Sequence, residues 1–368
     1  MAQVFASPGR YIQGYGELNN IYQHVKGFGS RFLILISENG KKRFGDIIEG
    51  SFAGTDKEVF FHIHKGECSR SVIGGIVKAM KELNCDSIIG VGGGKVMDTA
   101  KAAAYEAGTT TIIVPTVAAS DAPTSALSVV YTDDGVLESV PIFDKNPEVV
   151  LVDTKVIAES PTRLLVAGMG DALATFFEAR GCVETYRDNF VNGKFTKSSY
   201  ALARLCYDTL LEDGVLAVEA CNNNVATKAL ENIIEANTLL SGIGFESNGV
   251  TGAHSIYYGF TVLPEHASMY HGEFVAFGTI ALLILENRSR AELEEVINFC
   301  LNVGLPVCFE DLHLGELTPE KLDRVVAKAM DPIETIHNEP FKITKEELLG
   351  AILLADKYGT KFKEAYNK

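Results

Sequence analysis

The sequence predicts two domains, a Rossmann-like α/β domain with a doubly wound sheet over residues 1–160 and an all-α domain over 161–368. Three observations carry this. Short continuous apolar runs alternate with helix-like segments through the first part, and from about Ser160 onward the apolar residues fall almost everywhere at helical spacing. The length, 368 residues, exceeds one ordinary core, since domains usually hold about 100–200 residues.

In order, RFLILIS (31–37) is the kind of run that a parallel strand buried on both faces shows, and EVFFHIH (58–64) has similar β-branched and aromatic content. SRSVIGGIVKAMKELN (69–84) repeats its apolar residues at helical spacing. SIIGVGG (87–93), TTTIIVPT (109–116) and EVVLVDT (148–154) continue the strands. Beyond Pro161, segments 162–182, 199–214, 226–244, 273–289, 291–304 and 345–359 present apolar faces at helical period. Ligands of such a sheet sit beyond the carboxyl ends of its strands, and a cleft between the two domains is the expected site.

Composition narrows the function classes. Hydrophobic residues make up 46% and charged residues 22%, ample material for a core. A formal charge of −15 argues against nucleic-acid or anionic-membrane partners, both of which need a positive field, and favours a small-molecule ligand. Seven scattered cysteines without a CxxC pair do not form a disulfide frame. No signal segment and no membrane-length apolar run is visible, so cytoplasmic residence is expected.

Two stretches carry the chemistry. In SIIGVGGGKVMDTAKAAAYEAG (87–108), a strand passes through Gly92, Gly93 and Gly94 into a helix whose first turn offers unpaired N–H groups, with Lys95 adding a charge. That is a phosphate cradle or simply a tight turn. It departs from the ordinary dinucleotide fingerprint, because Lys95 stands at the third glycine position and threonines 109–111 where an acid is expected, and it lacks the spacing of a Walker loop. PTVAASDAPTSALSVVYTDDG (115–135) follows the next strand as a loop of small polar residues with Asp121 at its centre, either a ligand-facing acid or a turn cap.

The second stretch, 254–278, holds His254, His266 and His271 in a largely apolar setting. Each outer histidine alone fits a hydrogen-bonded residue at a helix end as readily as a metal ligand. Asp171, in the apolar run 162–182, is either paired with a distant cation or bound to a metal, since an isolated buried carboxylate is costly.

Together GGGK with DTAK, the VPT…SDAP loop, GDALATFFEA and HGE-x-VAFG closely resemble the glycerol dehydrogenases of the metal-dependent, or iron-containing, alcohol dehydrogenase superfamily, over essentially the whole chain. The resemblance implies a dehydroquinate synthase-like architecture with the site in the cleft, and a zinc-dependent, NAD-linked oxidation of glycerol or related vicinal diols to dihydroxyacetone. It implies metal ligands at Asp171, His254 and His271, substrate contacts at Asp121 and Phe245, and cofactor contacts at Ser37, Gly93, Gly94, Lys95, Asp98, Thr116, Ser125, Leu127 and Tyr131. It further implies a homo-oligomer, often an octamer.

Two departures bear on the cofactors. Iron-dependent members carry a histidine four residues after the aspartate; here it is Thr175, which leaves three protein ligands and favours zinc over iron. The aspartate that closes the first strand in the family is replaced by Ser37. Glu38, one residue on, points the other way in a strand, and Lys41, Lys42 and Arg43 follow, so NAD is favoured over NADP by less than usual. A glycerol-1-phosphate dehydrogenase or a dehydroquinate synthase-like enzyme is the alternative; both need cations beside the metal, and 245–278 contains no lysine or arginine. His266 is expected in a loop, or behind the ligands.

Overall fold

The computed structural model describes residues 1–366. Strand β1 (Tyr11–Gly14) leads through a 3-10 turn to α1 (Ile21–Val25). Then β2 (Arg31–Ile36), α2 (Glu38–Phe52), β3 (Glu58–Ile63), α3 (Arg70–Glu82), β4 (Ser87–Gly92), α4 (Gly94–Ala107) and β5 (Thr110–Pro115) alternate. A small antiparallel hairpin, β6 (Val130–Tyr131) and β7 (Leu137–Ser139), precedes β8 (Val149–Asp153) and α5 (Thr154–Ala158).

The main sheet has the order β1-β8-β5-β4-β2-β3, with every pair parallel. Successive side chains point to opposite faces, so each strand feeds two cores. Ile34, Ile89, Ile112 and Leu151 pack with Phe44 and Ile48 of α2, while Leu33, Ile88, Ile113 and Val150 join the core that continues into the helical half. Burial on both faces explains why these strands read as unbroken apolar runs. The chain leaves β2 toward β3 on one side and returns to β4 on the other. The carboxyl ends of β2 and β4, at Ser37 and Gly93, therefore flank the topological switch point where such sheets bind ligands.

The second half comprises α6 (Thr162–Thr185), α7 (Lys197–Asn222), α8 (Lys228–Glu235), a π turn (Ala236–Leu240), α9 (Ser241–Asn248), α10 (Gly252–Phe260), α11 (His271–Leu285), α12 (Arg290–Val303), α13 (Pro319–Ala329) and α14 (Lys345–Tyr366). Helix α6 is buried on nearly all faces, packed between α7 and α11. A single helix expected over 226–244 is interrupted by the π turn.

Several elements differ from the sequence expectation. Residues of β1 lie half-buried at the sheet edge and lack an apolar run. The first residues reach away from the α/β part: Gln3 pairs with Lys194, and Ala6 N donates to Ser247 Oγ across to the helical half, before Gly9 and Arg10 bond to the segment leading into β8. Glu38 is not in a strand. Ser37 caps α2, its Oγ accepting from Gly40 N at 3.0 Å, and Glu38 begins the helix, 3.4 Å from Lys42. The seven cysteines are all free and buried, behaving as small apolar side chains. Among the described residues, no helix is long and apolar enough to cross a membrane.

Candidate active site

Asp171, His254 and His271 come from three different helices and meet at one point. Asp171 lies in the middle of α6, His254 in the first turn of α10 and His271 at the start of α11. Their ligating atoms all lie within 4.8 Å of one another. Asp171 Oδ1 is 3.1 Å from His271 Nε2 and 3.4 Å from His254 Nε2, and the two rings sit 5.4 Å apart.

Glycines make the approach possible. A Cβ on Gly170 would lie 2.2 Å from the carbonyl oxygen of Gly272, and one on Gly272 would lie 1.8 Å from that of Ala167. The backbones of α6 and α11 are in contact there, which places His271 over Asp171. At the same end of α11, Glu273 accepts from Tyr270 N at 2.7 Å and closes a capping box. Arg163 grips Glu273 with two hydrogen bonds, of 2.6 and 2.9 Å.

Behind His254 stands Glu178, which the sequence reading missed. Its fully buried carboxylate accepts from His254 Nδ1 at 2.5 Å and from the backbone N–H groups of Thr251 and His254 at 3.1 Å. This fixes the proton on Nδ1 and turns Nε2 toward Asp171, the carboxylate–histidine arrangement typical of metal sites. The signal was present: Asp171, Thr175 and Glu178 lie on one face of a helix that is otherwise apolar there.

Electrostatics agree with a cation site. Burial opposes charge on Asp171, yet the flanking imidazoles hold its carboxyl well below the usual range. Burial likewise opposes protonation of His254, and Glu178 and Asp171 override it, raising its pKa. Asp121, in the loop after β5, is pushed well above the ordinary carboxylate value by burial and by Asp171. An oxygen-and-imidazole set of one carboxylate and two rings, with a buried carboxylate fixing one ring from behind, fits a divalent metal such as zinc.

Around this point, Asp121 Oδ2 accepts from Ser241 Oγ at 2.9 Å, and Ser241 Oγ lies 2.9 Å from Thr175 Oγ1. Thr175 is thus tied into a hydroxyl chain. Phe245 lies one turn past Ser241 on α9, mostly buried, its ring edge-on to Phe190. Tyr257, also missed, stands edge-on to His271 at 4.3 Å. His266 is in a 3-10 turn (Pro264–Ser268) against Phe274 and Tyr257, and burial lowers its pKa.

At the sheet, Gly93 caps α4 and Gly94 opens it, and a Cβ on Gly94 would meet nothing within 4 Å. The space suits a phosphate against the N-terminus of α4. Lys95 in that first turn reaches Glu67 at 2.6 Å. Asp98 is buried, accepting from Val129 N at 3.0 Å and 3.0 Å from Lys101, itself buried, whose Nζ also donates to Ala122 O at 2.9 Å. Lys101, a further residue that the sequence reading passed over, ties α4 to the Asp121 loop. Thr116 N donates to Gly92 O at 3.1 Å, and Tyr131 N to Cys68 O at 2.8 Å. Leu127 bridges to Ile142, and Ser125 is fully enclosed, its hydroxyl 3.5 Å from Ala122 O. At the ends of β2 and β3, an open depression is lined by Glu38, Lys41, Lys42, Ile63 and Lys65.

Three converging side chains able to hold a metal, together with a glycine-capped helix at the switch point of a parallel sheet, fit a metal-dependent, nucleotide-linked oxidoreductase of the dehydroquinate synthase-like fold. The profile described as "Iron-containing alcohol dehydrogenase" matches residues 8–154. The chain is 44% identical to a glycerol dehydrogenase of Citrobacter freundii, covering 98% of each, and 46% identical to a glycerol dehydrogenase of Thermotoga maritima, covering 96% of each. The crystal structure of a probable glycerol dehydrogenase from Sinorhizobium meliloti 1021 superposes with a TM-score of 0.92 at 42% identity, over 98% of this chain and 100% of that one. The chain belongs to the iron-containing alcohol dehydrogenase family and is an oxidoreductase of it.

Proposed function

We propose that this chain is a zinc-dependent, NAD-linked glycerol dehydrogenase that interconverts glycerol, or a related vicinal diol, and dihydroxyacetone. The observation that carries the reading is the convergence of Asp171, His254 and His271 beside Asp121. The names and near-complete coverage of the relatives in Citrobacter freundii and Thermotoga maritima support the substrate class. Zinc is favoured over iron because Thr175 stands where a fourth ligand would, its hydroxyl engaged with Ser241.

A divalent ion at these ligands supplies Lewis acidity toward the carbinol oxygen, and NAD at the glycine end supplies the hydride acceptor. The protein's part is placement. Asp121 offers its second oxygen to the neighbouring hydroxyl of the diol, and Phe245 forms part of the wall. Gly93, Gly94 and Lys95 receive the pyrophosphate, with Asp98 in the helix that follows, while Thr116, Ser125, Leu127 and Tyr131 lie around the ribose and nicotinamide end. In the reaction the secondary carbinol loses a hydride from carbon and a proton from oxygen, leaving the ketone. Glu38, at the start of α2 and facing the depression, is placed to take ribose hydroxyls in place of the family's aspartate; the lysines beside it are placed for a 2′-phosphate.

A phosphorylated substrate is disfavoured by charge. Of the cations that approach the 254–278 stretch, Arg163 is paired with Glu273 and Lys321 with Glu265, and Arg324 donates to the Val262 carbonyl at 2.8 Å. The test is a matrix of glycerol, 1,2-propanediol and glycerol 1-phosphate with NAD or NADP, before and after chelation and zinc restoration. Glycerol-dependent NADH formation that disappears on chelation and returns with zinc is expected. Full activity in metal-free protein, or a preference for glycerol 1-phosphate, would refute the reading.

A further inference from the structure

The loop that carries Asp121 is held by an irregularity in a helix. Between α8 and α9 the π turn Ala236–Leu240 adds one residue to the winding, so everything from Ser241 onward is rotated by about 100° relative to an unbroken helix. Groups of the π turn bind the loop. The Thr238 carbonyl accepts the Thr124 hydroxyl at 2.7 Å, and Asn237 Nδ2 donates to the carbonyls of Ala118 and Leu165 at 2.9 and 3.0 Å. Ala118 and Thr124 sit three residues on either side of Asp121, which is thereby clamped from both ends.

At the end of the π turn, the fully buried Ser241 hydroxyl reaches Asp121. A serine hydroxyl has one proton. Because it is given to Asp121 Oδ2, the contact with Thr175 is one in which Thr175 donates. The chain therefore has a direction, from Thr175 through Ser241 to Asp121, and it begins one helical turn after the metal-ligand candidate Asp171.

We propose that Ser241, aligned by the π turn and oriented by Thr175, is a positioning residue that selects polyols: it occupies one oxygen of Asp121 and so presents the other to the second hydroxyl of the substrate. This rests on glycerol being the substrate. A mono-alcohol has no second hydroxyl for Asp121 to hold, and its turnover does not draw on the chain.

The experiment compares glycerol with 2-propanol in the zinc-loaded enzyme with NAD, using Ser241→Ala, Ser241→Cys, Thr175→Val and the Ser241→Ala/Thr175→Val double variant. The expected result is a fall of about tenfold in the glycerol-to-2-propanol ratio of kcat/KM for Ser241→Ala, as for the loss of one hydrogen bond to a charged or polarised group, seen mainly in the glycerol KM. Thr175→Val lowers the ratio less, and the double variant no further than Ser241→Ala alone, with zinc content at the wild-type level throughout. If Ser241→Ala does not fold, Ser241→Cys and Thr175→Val carry the same comparison at near-constant volume. An unchanged ratio in the folded variants, or additive losses in the double variant, overturns the proposal. A wild-type enzyme that oxidises no vicinal diol overturns the functional reading and this inference with it, whereas glycerol oxidation with unchanged variant ratios overturns this inference alone.

Discussion

The metal end and the nucleotide end proposed for this site are built in opposite ways. At the metal end the charged groups have fixed partners: Asp171 is enclosed between two imidazoles, His254 is locked by Glu178, and the start of α11 is held by the Arg163–Glu273 pair. At the nucleotide end the surface is open, Gly94 faces empty space, and Lys95 is largely exposed, its charge answered by Glu67. Burial explains the contrast. A charged cluster inside low-dielectric packing must be satisfied in every direction, whereas a cofactor that binds and leaves needs backbone donors and removable charges. The chemistry end is preorganised and the exchange end is accessible.

That contrast can be broken or sharpened by substitution. The largest effect is expected at the metal end, where His271→Ala should bind zinc poorly while remaining folded and should lose roughly 10³-fold in kcat/KM, the scale of several kcal/mol of Lewis-acid stabilisation. Metal content and circular dichroism measured together check this. Glu178→Gln keeps the shape and removes the charge behind His254; zinc affinity should fall about 10- to 100-fold, as for other partners of metal-bound histidines, readable by competition with a chelator. A Glu178→Gln enzyme with wild-type zinc affinity would mean that the metal end is less preorganised than its hydrogen bonds indicate.

At the nucleotide end, Lys95→Ala should raise the KM for NAD about tenfold, the scale of one charge-assisted hydrogen bond, with zinc content unchanged. Loss of zinc in that variant would dissolve the distinction between the two ends.

The smallest effect concerns an unsatisfied carboxyl behind the metal end. Both carboxyl oxygens of Glu339 are buried without hydrogen-bond partners, and burial pushes its pKa up to about 8. A carboxyl raised in the folded state favours folding while protonated. Its contribution is complete below the ordinary glutamate pKa and is lost as pH rises toward 8. Glu339→Gln should flatten the fall in Tm between pH 5 and 9 and raise Tm by a few degrees at the alkaline end, on the order expected for about 1–2 kcal/mol. Thermal melts across that range decide it.

Much of the fold was legible because its elements announce themselves by period. β2, β4, β5 and β8 are buried on both faces and read as apolar runs, and α7, α12 and α14 carry apolar faces at helical spacing. Strand β1, the hairpin β6–β7 and the nine-residue α10 were not legible. Each is too short to show a period, and two are held by partners distant in sequence, β1 by β8 and Tyr131 of the hairpin by Cys68. Glu38 was misplaced because nothing local marks where β2 stops; Ser37 reads as strand residue or helix cap, and the structure makes it a cap.

For the site, the sequence by itself determined the ingredients: the glycine turn into α4, the small polar loop around Asp121, and an aspartate and two histidines in apolar surroundings, completed into one set through resemblance. Only the tertiary structure decided which further groups act with them. Glu178 reaches His254 across 76 residues, Ser241 reaches Asp121 across 120, and Lys101 joins two segments that both look complete alone. The physical reason lies in helix geometry. A π turn shifts every later residue to a different face, so no 3.6-residue pattern in the sequence indicates that Ser241 points at Asp121, and contact between α6 and α11 at Gly170 and Gly272 depends on the packing of whole helices.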